Sequence, residues 1–253
     1  MNHFKTIVLK IINRMGYDLN KKGYKGLPIE ASVQDNNIYD QIKPYTMTSN
    51  DRIWALINAV NYVIRNNIDG DFVECGVWRG GSAMAMALAL IKHGIDYREI
   101  WLYDTYEGMT DPSGKDIEAH SGKLASSLLM HSEKKPDNNI WCVASLQDVS
   151  QNMYSTNYPK SQIHFIKGDV VETLKVNIPE KISILRLDTD WYESTKSELE
   201  ILYPMLVRGG VCIIDDYGYW RGSREAVDEY FEKNNIKVLL NKIDETGRLF
   251  IKP

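Results

Sequence analysis

Apolar positions along this chain follow two periods. Short segments with a largely apolar centre, most of them ending on a charged residue, read as strands: Phe72 to Cys75, Arg98 to Asp104, Gln162 to Asp169, Ile182 to Asp190 and Val211 to Asp216. Between them an apolar residue recurs every three or four positions, the stripe of an amphipathic helix. Ile53, Leu56, Ile57, Val60 and Val63 or Ile64 make such a stripe over about Asp51 to Asn66, with Ser49 or Asn50 as its cap. Ser82 to about His93, Leu146 to Met153, Val170 to Leu174, Ser194 to Leu206 and Ser223 to about Asn234 read as further helices. Thr195 and Glu198 stand at capping-box spacing, and Gly209-Gly210 ends the helical unit they open. Two terminal runs, Lys237 to Ile243 and Arg248 to Ile251, flank Asp-Glu-Thr-Gly and read as a hairpin. The alternation predicts an α/β fold: a Rossmann-like, mainly parallel seven-stranded sheet with helices on both faces and an antiparallel hairpin at its C-terminal end.

Two segments break the pattern. Met1 to Gly16 interleaves Ile7 to Leu9, Ile11 and Ile12 with Lys5, Lys10 and Arg14, an amphipathic helix that would pack on the domain or on a second subunit. Residues 17 to 50 are polar and aperiodic, so 1–50 read as a helix and irregular arm ahead of a domain spanning 51–253. Residues 107–139 carry little apolar periodicity and read as a lid inserted in that domain. At 253 residues and 43% hydrophobic content the chain can bury one large core. Its formal net charge of −4, with no long basic run, argues against nucleic acid or an anionic membrane as main partner, and no stretch is long enough to span a bilayer. Cys75, Cys142 and Cys212 are odd in number and scattered, as buried thiols in a reducing cytoplasm would be.

The candidate chemistry centres on Asp71-Phe-Val-Glu-Cys-Gly-Val-Trp-Arg-Gly-Gly-Ser-Ala83, a strand, a glycine loop and a helix N-terminus. Such a junction suits an anionic group, and glycines admit it close to the chain. The spacing is not that of the dinucleotide fingerprint, and Glu74 would repel a pyrophosphate. A ligand with both an ammonium and a carboxylate fits, which describes the methionine part of S-adenosylmethionine. Five predicted strands end on acids: Glu74, Asp104, Asp169, Asp188 or Asp190, and Asp215 or Asp216. Ligands of open α/β sheets bind beyond those ends. Asp104 is placed to accept hydrogen bonds from ribose hydroxyls, and Asp169 to hold an adenine amino group. Asp188, Asp215 and Asp216 imply a hard divalent cation with oxygen ligands, Mg²⁺ first, then Mn²⁺ or Ca²⁺. Asp190 is the best general base by position, and His131 in the lid is the second.

Glu74-Cys-Gly-Val-Trp-Arg-Gly-Gly-Ser82, Leu185-Arg-Leu-Asp-Thr-Asp-Trp-Tyr-Glu-Ser-Thr195, Gly209-Gly-Val-Cys-Ile-Ile-Asp-Asp-Tyr217 and Ala226-Val-Asp-Glu-Tyr230 together resemble the macrocin O-methyltransferase (TylF/MycF) family, as does Tyr45-Thr-Met47. A more distant resemblance is to catechol O-methyltransferase. The family resemblance implies a class I methyltransferase using S-adenosylmethionine and Mg²⁺, with the metal on Asp188, Asp215 and Asp216. It places the cofactor on Glu74, Gly76, Ser82, Asp104 and Asp169, a set extended by Thr46, Met47, Trp78, Gly80, Gly81, Gly168 and Asp188. It implies Asp190 as general base with a lid histidine competing or assisting, although His131 stands several residues early for that role. The acceptor implied is a sugar hydroxyl of a glycosylated natural product or glycan precursor, and the assembly implied is a homo-oligomer. Trp78, Trp191, Tyr192, Tyr217, Tyr219 and Trp220 near the strand tips are candidates to stack on sugar rings. Two rival readings remain at this level: a nucleotide-sugar or NAD enzyme of Rossmann type, and a non-catalytic binding protein of the same fold.

Overall fold

The structure, a computed structural model, describes residues 26–253. The helix expected over Met1 to Gly16 lies outside them. The stretch read as an irregular arm carries a helix, α1 (Val33–Ile42). Ser32 caps it: its hydroxyl accepts from the Asp35 amide at 3.2 Å, and the Asp35 carboxylate accepts from the Ser32 amide at 3.0 Å. Its period is hidden in the sequence because only Ile38 and Ile42 bury apolar side chains.

The elements then follow the expected alternation: α2 (Asn50–Arg65), β1 (Asp71–Cys75), α3 (Gly81–Lys92), β2 (Ile100–Asp104), α4 (Ala125–Met130), α5 (Leu146–Ser155), β3 (Ile163–Lys167), α6 (Val170–Thr173), β4 (Ile182–Leu187), α7 (Tyr192–Leu202), β5 (Leu206–Ile214), α8 (Arg221–Lys233), β6 (Asn241–Lys242) and β7 (Arg248–Ile251). Ser49 caps α2, which buries Ile53, Leu56, Ile57, Val60 and Val63. The seven strands run in the order β3-β2-β1-β4-β5-β7-β6. Strands β1 to β5 are mutually parallel, and β7 runs antiparallel to both β5 and β6. Strand order reverses between β1 and β4, the switch point where such sheets bind ligands.

Alternation along each strand feeds two cores. Phe72, Ile184 and Val211 face α1, α2 and α3, whereas Val73, Leu185 and Cys212 face α7. Lys92 on α3 pairs with Asp35 at 2.7 Å, fastening α1 to this body.

Three expectations fail locally. Helix α7 begins at Tyr192, and its N-cap Trp191 makes no side-chain cap bond. Thr195 and Glu198 are buried within the helix and form no capping box. The cap comes from far away, as the carboxylate of Asp116 accepts from the Tyr192 amide at 2.8 Å. Gly209 and Gly210 lie inside β5, because a 3-10 turn, Tyr203–Met205, ends the helix earlier. The lid is partly ordered: it carries α4 and bridges from Ile117 to Leu124 and from Glu118 to Trp220. Asp116 at its base is fully buried and also accepts from the Ser113 amide at 2.6 Å and hydroxyl at 2.8 Å.

Candidate functional site

A cleft of about 560 Å³ opens along the carboxyl ends of the central strands. It gathers Thr46, Met47, Glu74, Gly76, Trp78, Gly81, Ser82, Asp104, Gly168, Asp169, Asp188, Asp190, Asp215 and Asp216. Two expected residues stand apart from its lining. Gly80 is the left-handed N-cap of α3, turned toward Val149 and Met153. His131 follows α4 on the exposed lid surface, where its Nδ1 meets the Ser127 carbonyl at 2.7 Å. The lid reaches the cleft instead at its two ends, through Gly108, Met109 and Thr110 and through Asn138 and Asn139, with Ile140 and Cys142 just beyond it. Among the aromatic candidates, Trp78, Tyr219 and Trp220 line the cleft. Trp191 and Tyr192 are buried and otherwise engaged: Trp191 donates to the Thr110 carbonyl at 3.0 Å, and Tyr192 donates to Glu229 at 2.6 Å.

The glycine loop is shaped by close approach. Gly76 has φ +83°, and a Cβ there would overlap the Asp188 carbonyl oxygen, so strands β1 and β4 meet at their tips only because this side chain is missing. A Cβ on Gly81 would lie 2.6 Å from both the Thr46 Cβ and the Tyr45 carbonyl oxygen, so the segment before α2 sits directly on the loop. The loop amides were expected to face a ligand. Two of them instead donate to Asp104, Val77 at 2.7 Å and Trp78 at 3.1 Å, while its other oxygen accepts from the Tyr106 amide at 2.6 Å. Asp104 therefore braces the loop from the tip of β2 as well as lining the cleft. Burial outweighs these bonds and holds its pKa above the ordinary carboxylate value. Asp169 caps α6, accepting from the Val171 amide at 2.9 Å.

Glu74 is 1% exposed. Burial pushes its pKa up to about 7 against the pull of Arg186, which donates to its Oε1. Its Oε2 is buried and has no hydrogen-bond partner among the described residues. A carboxylate oxygen left unpaired beside a glycine loop fits an ammonium, as the methionine part of S-adenosylmethionine carries.

Asp188, Asp215 and Asp216 converge at the tips of β4 and β5, each offering an oxygen within 4.8 Å of the others. Burial and mutual repulsion push Asp188 and Asp216 well above the usual carboxylate range. Asp215 moves the opposite way because two guanidiniums hold it charged, Arg186 at 2.8 Å and Arg52 from α2. Asp216 Oδ2 is buried without a partner among the described residues. An all-oxygen set with an unpaired buried oxygen and electrostatic strain that positive charge would relieve fits a hard divalent cation. Asp190 adjoins this group with a left-handed backbone, φ 70°. Burial pushes its pKa up to about 7, with repulsion from Asp188 and Asp215 adding to the rise.

The cations and the hydroxyl inside this cluster are not among the residues expected from the sequence. Arg186 was visible as the one charge in an apolar strand, Ile182-Ser-Ile-Leu-Arg-Leu. Arg52 and Thr48, whose hydroxyl donates to Asp215 at 3.2 Å, gave no comparable signal.

No helix among the described residues is long and apolar enough to cross a membrane. The macrocin O-methyltransferase (TylF) family model matches residues 6–252. Over 203 residues, 80% of this chain and 74% of the relative, the chain is 34% identical to the demethyldecarbamoylnovobiocin O-methyltransferase of Streptomyces niveus. It is 34% identical, with the same coverage, to the 8-demethyl-8-(2,3-dimethoxy-alpha-L-rhamnosyl)-tetracenomycin-C 4'-O-methyltransferase of Streptomyces olivaceus. The solved structure of the O-methyltransferase NovP superposes with a TM-score of 0.71 at 32% identity, covering 82% of each chain. A cleft built from a glycine loop and strand-tip acids thus sits in a fold and sequence shared with these enzymes, and the chain belongs to the macrocin O-methyltransferase family of S-adenosylmethionine-dependent O-methyltransferases.

Proposed function

We propose that this enzyme methylates a sugar hydroxyl of a glycosylated small molecule, with Mg²⁺ held by Asp188, Asp215 and Asp216. The cluster of three carboxylates within 4.8 Å, beside a glycine-loop cleft, carries the reading. A relative whose substrate name includes a rhamnosyl group supports the sugar acceptor. When bound, S-adenosylmethionine supplies a methyl group on a sulfonium sulfur, and the cation supplies charge that orients hydroxyl oxygens and eases proton loss.

The chain's own residues do the rest. Glu74 Oε2 holds the ammonium of the donor, Ser82 and the loop receive its carboxylate end, and Asp104 and Asp169 address its ribose and adenine. Thr46, Met47, Trp78 and Gly168 wall that half of the cleft. Asp190 accepts the proton of the attacking hydroxyl on a carboxylate oxygen, while Asn138 and Asn139 of the lid, with Ile140 beside them, keep water out. A cytoplasmic setting, a homo-oligomer and a role for residues 1–50 in lid and subunit contacts belong to the same reading, on the strength of the sequence pattern and the family resemblance.

The test is methyl transfer from S-adenosylmethionine to a panel of neutral glycosides, followed by mass spectrometry, with Mg²⁺ and with a chelator. Turnover should vanish on chelation and return with Mg²⁺. Asp216→Asn should abolish it while S-adenosylhomocysteine still binds. Asp216 is preferred to Asp215, which also pairs with Arg52 and Arg186, so that its loss would disturb two guanidiniums as well as the cation site. Turnover that survives chelation would remove the cation from the proposal.

A further inference from the structure

Three cleft carboxylates share one buried guanidinium. In the parallel ladder Glu74 on β1 stands opposite Arg186 on β4, and Arg186 stands opposite Ile213 on β5. Residues two apart on a strand share a face, so Asp188 and Asp215, just past the strand ends, project to the same side as Arg186 and Glu74. The register thus brings four charged groups from three strands to one point. Arg186 Nη1 donates to Glu74 Oε1, and Nη2 reaches Asp188 Oδ2 at 2.7 Å and Asp215 Oδ1 at 2.8 Å. Its side chain is 3% exposed, in a strand that is buried along its whole length.

A buried guanidinium is tolerated only when carboxylates neutralise it and fill its donors, and three carboxylates this close are held in place around such a cation. The planar fork also sets direction. With Oε1 of Glu74 bound to Nη1, the other oxygen is the one left unpaired in the cleft wall. With one oxygen each of Asp188 and Asp215 against Nη2, and the second oxygen of Asp215 accepting from Arg52 and Thr48, both carboxylates are fixed within the cluster they form with Asp216.

We propose that Arg186 is the positioning residue for both halves of the site, acting through the carboxylates it holds: it presents Glu74 to the donor and Asp188 with Asp215 to the cation. The inference rests on the roles given to Glu74 and the three aspartates above. Lysine would keep the charge but not the geometry, since an ammonium is a compact donor without a planar fork.

The experiment measures two affinities on the full chain without turnover: S-adenosylhomocysteine by calorimetry and Mn²⁺ by electron paramagnetic resonance. Glu74→Gln should weaken only the first and Asp216→Asn only the second. Arg186→Lys should weaken both by about tenfold or more, the scale of one charge-assisted hydrogen bond lost per ligand. A purely structural arginine would lower the melting temperature and leave both affinities of the folded variant intact, and that result, or loss at one site alone, overturns the inference. If Arg186→Lys does not fold, Arg186→Met combined with Glu74→Gln removes one charge of each sign. Its Mn²⁺ affinity should fall about tenfold below that of Glu74→Gln alone, and equal affinities overturn the proposal. A wild-type chain that binds neither probe would instead refute the site reading beneath it.

Discussion

Asp116→Ala tests how the lid is fastened to the domain. The carboxylate is fully buried and accepts three hydrogen bonds: from the Ser113 amide at 2.6 Å, the Ser113 hydroxyl at 2.8 Å and the Tyr192 amide at 2.8 Å. The last supplies the N-terminal cap that α7 lacks locally and sets a negative charge at the positive end of that helix. The Tyr192 bond, as a cap, contributes about 1 kcal/mol, and the two bonds from Ser113 contribute about 1.5–3 kcal/mol each. Release of a buried carboxylate offsets part of this sum, leaving a net destabilisation of about 3–5 kcal/mol. Asp116→Asn should cost less, about 2 kcal/mol, because its carbonyl can still accept from Tyr192 while its NH₂ group opposes the Ser113 amide. Urea denaturation gives the total, and hydrogen exchange resolved along the chain gives its location. Protection should fall first across residues 107–139 and the start of α7, before the central strands. Unchanged lid exchange, together with a stability change below about 1 kcal/mol, would refute the anchor.

Glu198, buried on α7 with Thr189 donating to it at 2.8 Å, has a pKa pushed up to about 8 from 4.5 by burial. The folded chain then keeps a proton that the unfolded chain releases, so this stability is full below pH 4.5 and is lost as pH rises to about 8. Glu198→Gln should flatten the urea midpoint across that window and raise it at the alkaline end. Gly76→Ala meets the Asp188 carbonyl and a left-handed backbone that costs alanine about 1–2 kcal/mol; calorimetry should show S-adenosylhomocysteine binding lost, and retained affinity would contradict the close approach of β1 and β4. Trp220, 2% exposed and edge-to-face with Trp191 at 4.9 Å, should cost about 3–5 kcal/mol on replacement by Ala, read from denaturant unfolding.

The strand tips were legible because each acid follows an apolar run, and a run ending on a charge marks both the strand and its open end. Helix α2 was legible because five buried side chains keep one stripe and Ser49 stands at its head. Helix α7 started elsewhere than expected because its cap lies 76 residues away on Asp116, a relation no local pattern carries. Helix α4, at six residues, is too short to show a period. The acids of the site could be named, yet the part of Arg186 could not, since it arises from the register of β1 against β4. The dinucleotide reading, against which the glycine spacing already spoke, gave way to family membership.

The contact between Gly81 and the segment ahead of α2 bears on how separable the two ends of this enzyme are. Tyr45 and Thr46 lie against the loop that is to hold the donor, and two residues later Thr48 donates to Asp215 in the acid cluster. One short stretch of chain thereby touches both halves of the cleft. Exchanging it between family members is therefore not a neutral graft, because a changed backbone there disturbs the donor pocket and the acids together. The stretch from Tyr45 to Thr48 is thus part of the frame of the cleft, tied by its backbone to the glycine loop and by a hydroxyl to the acids.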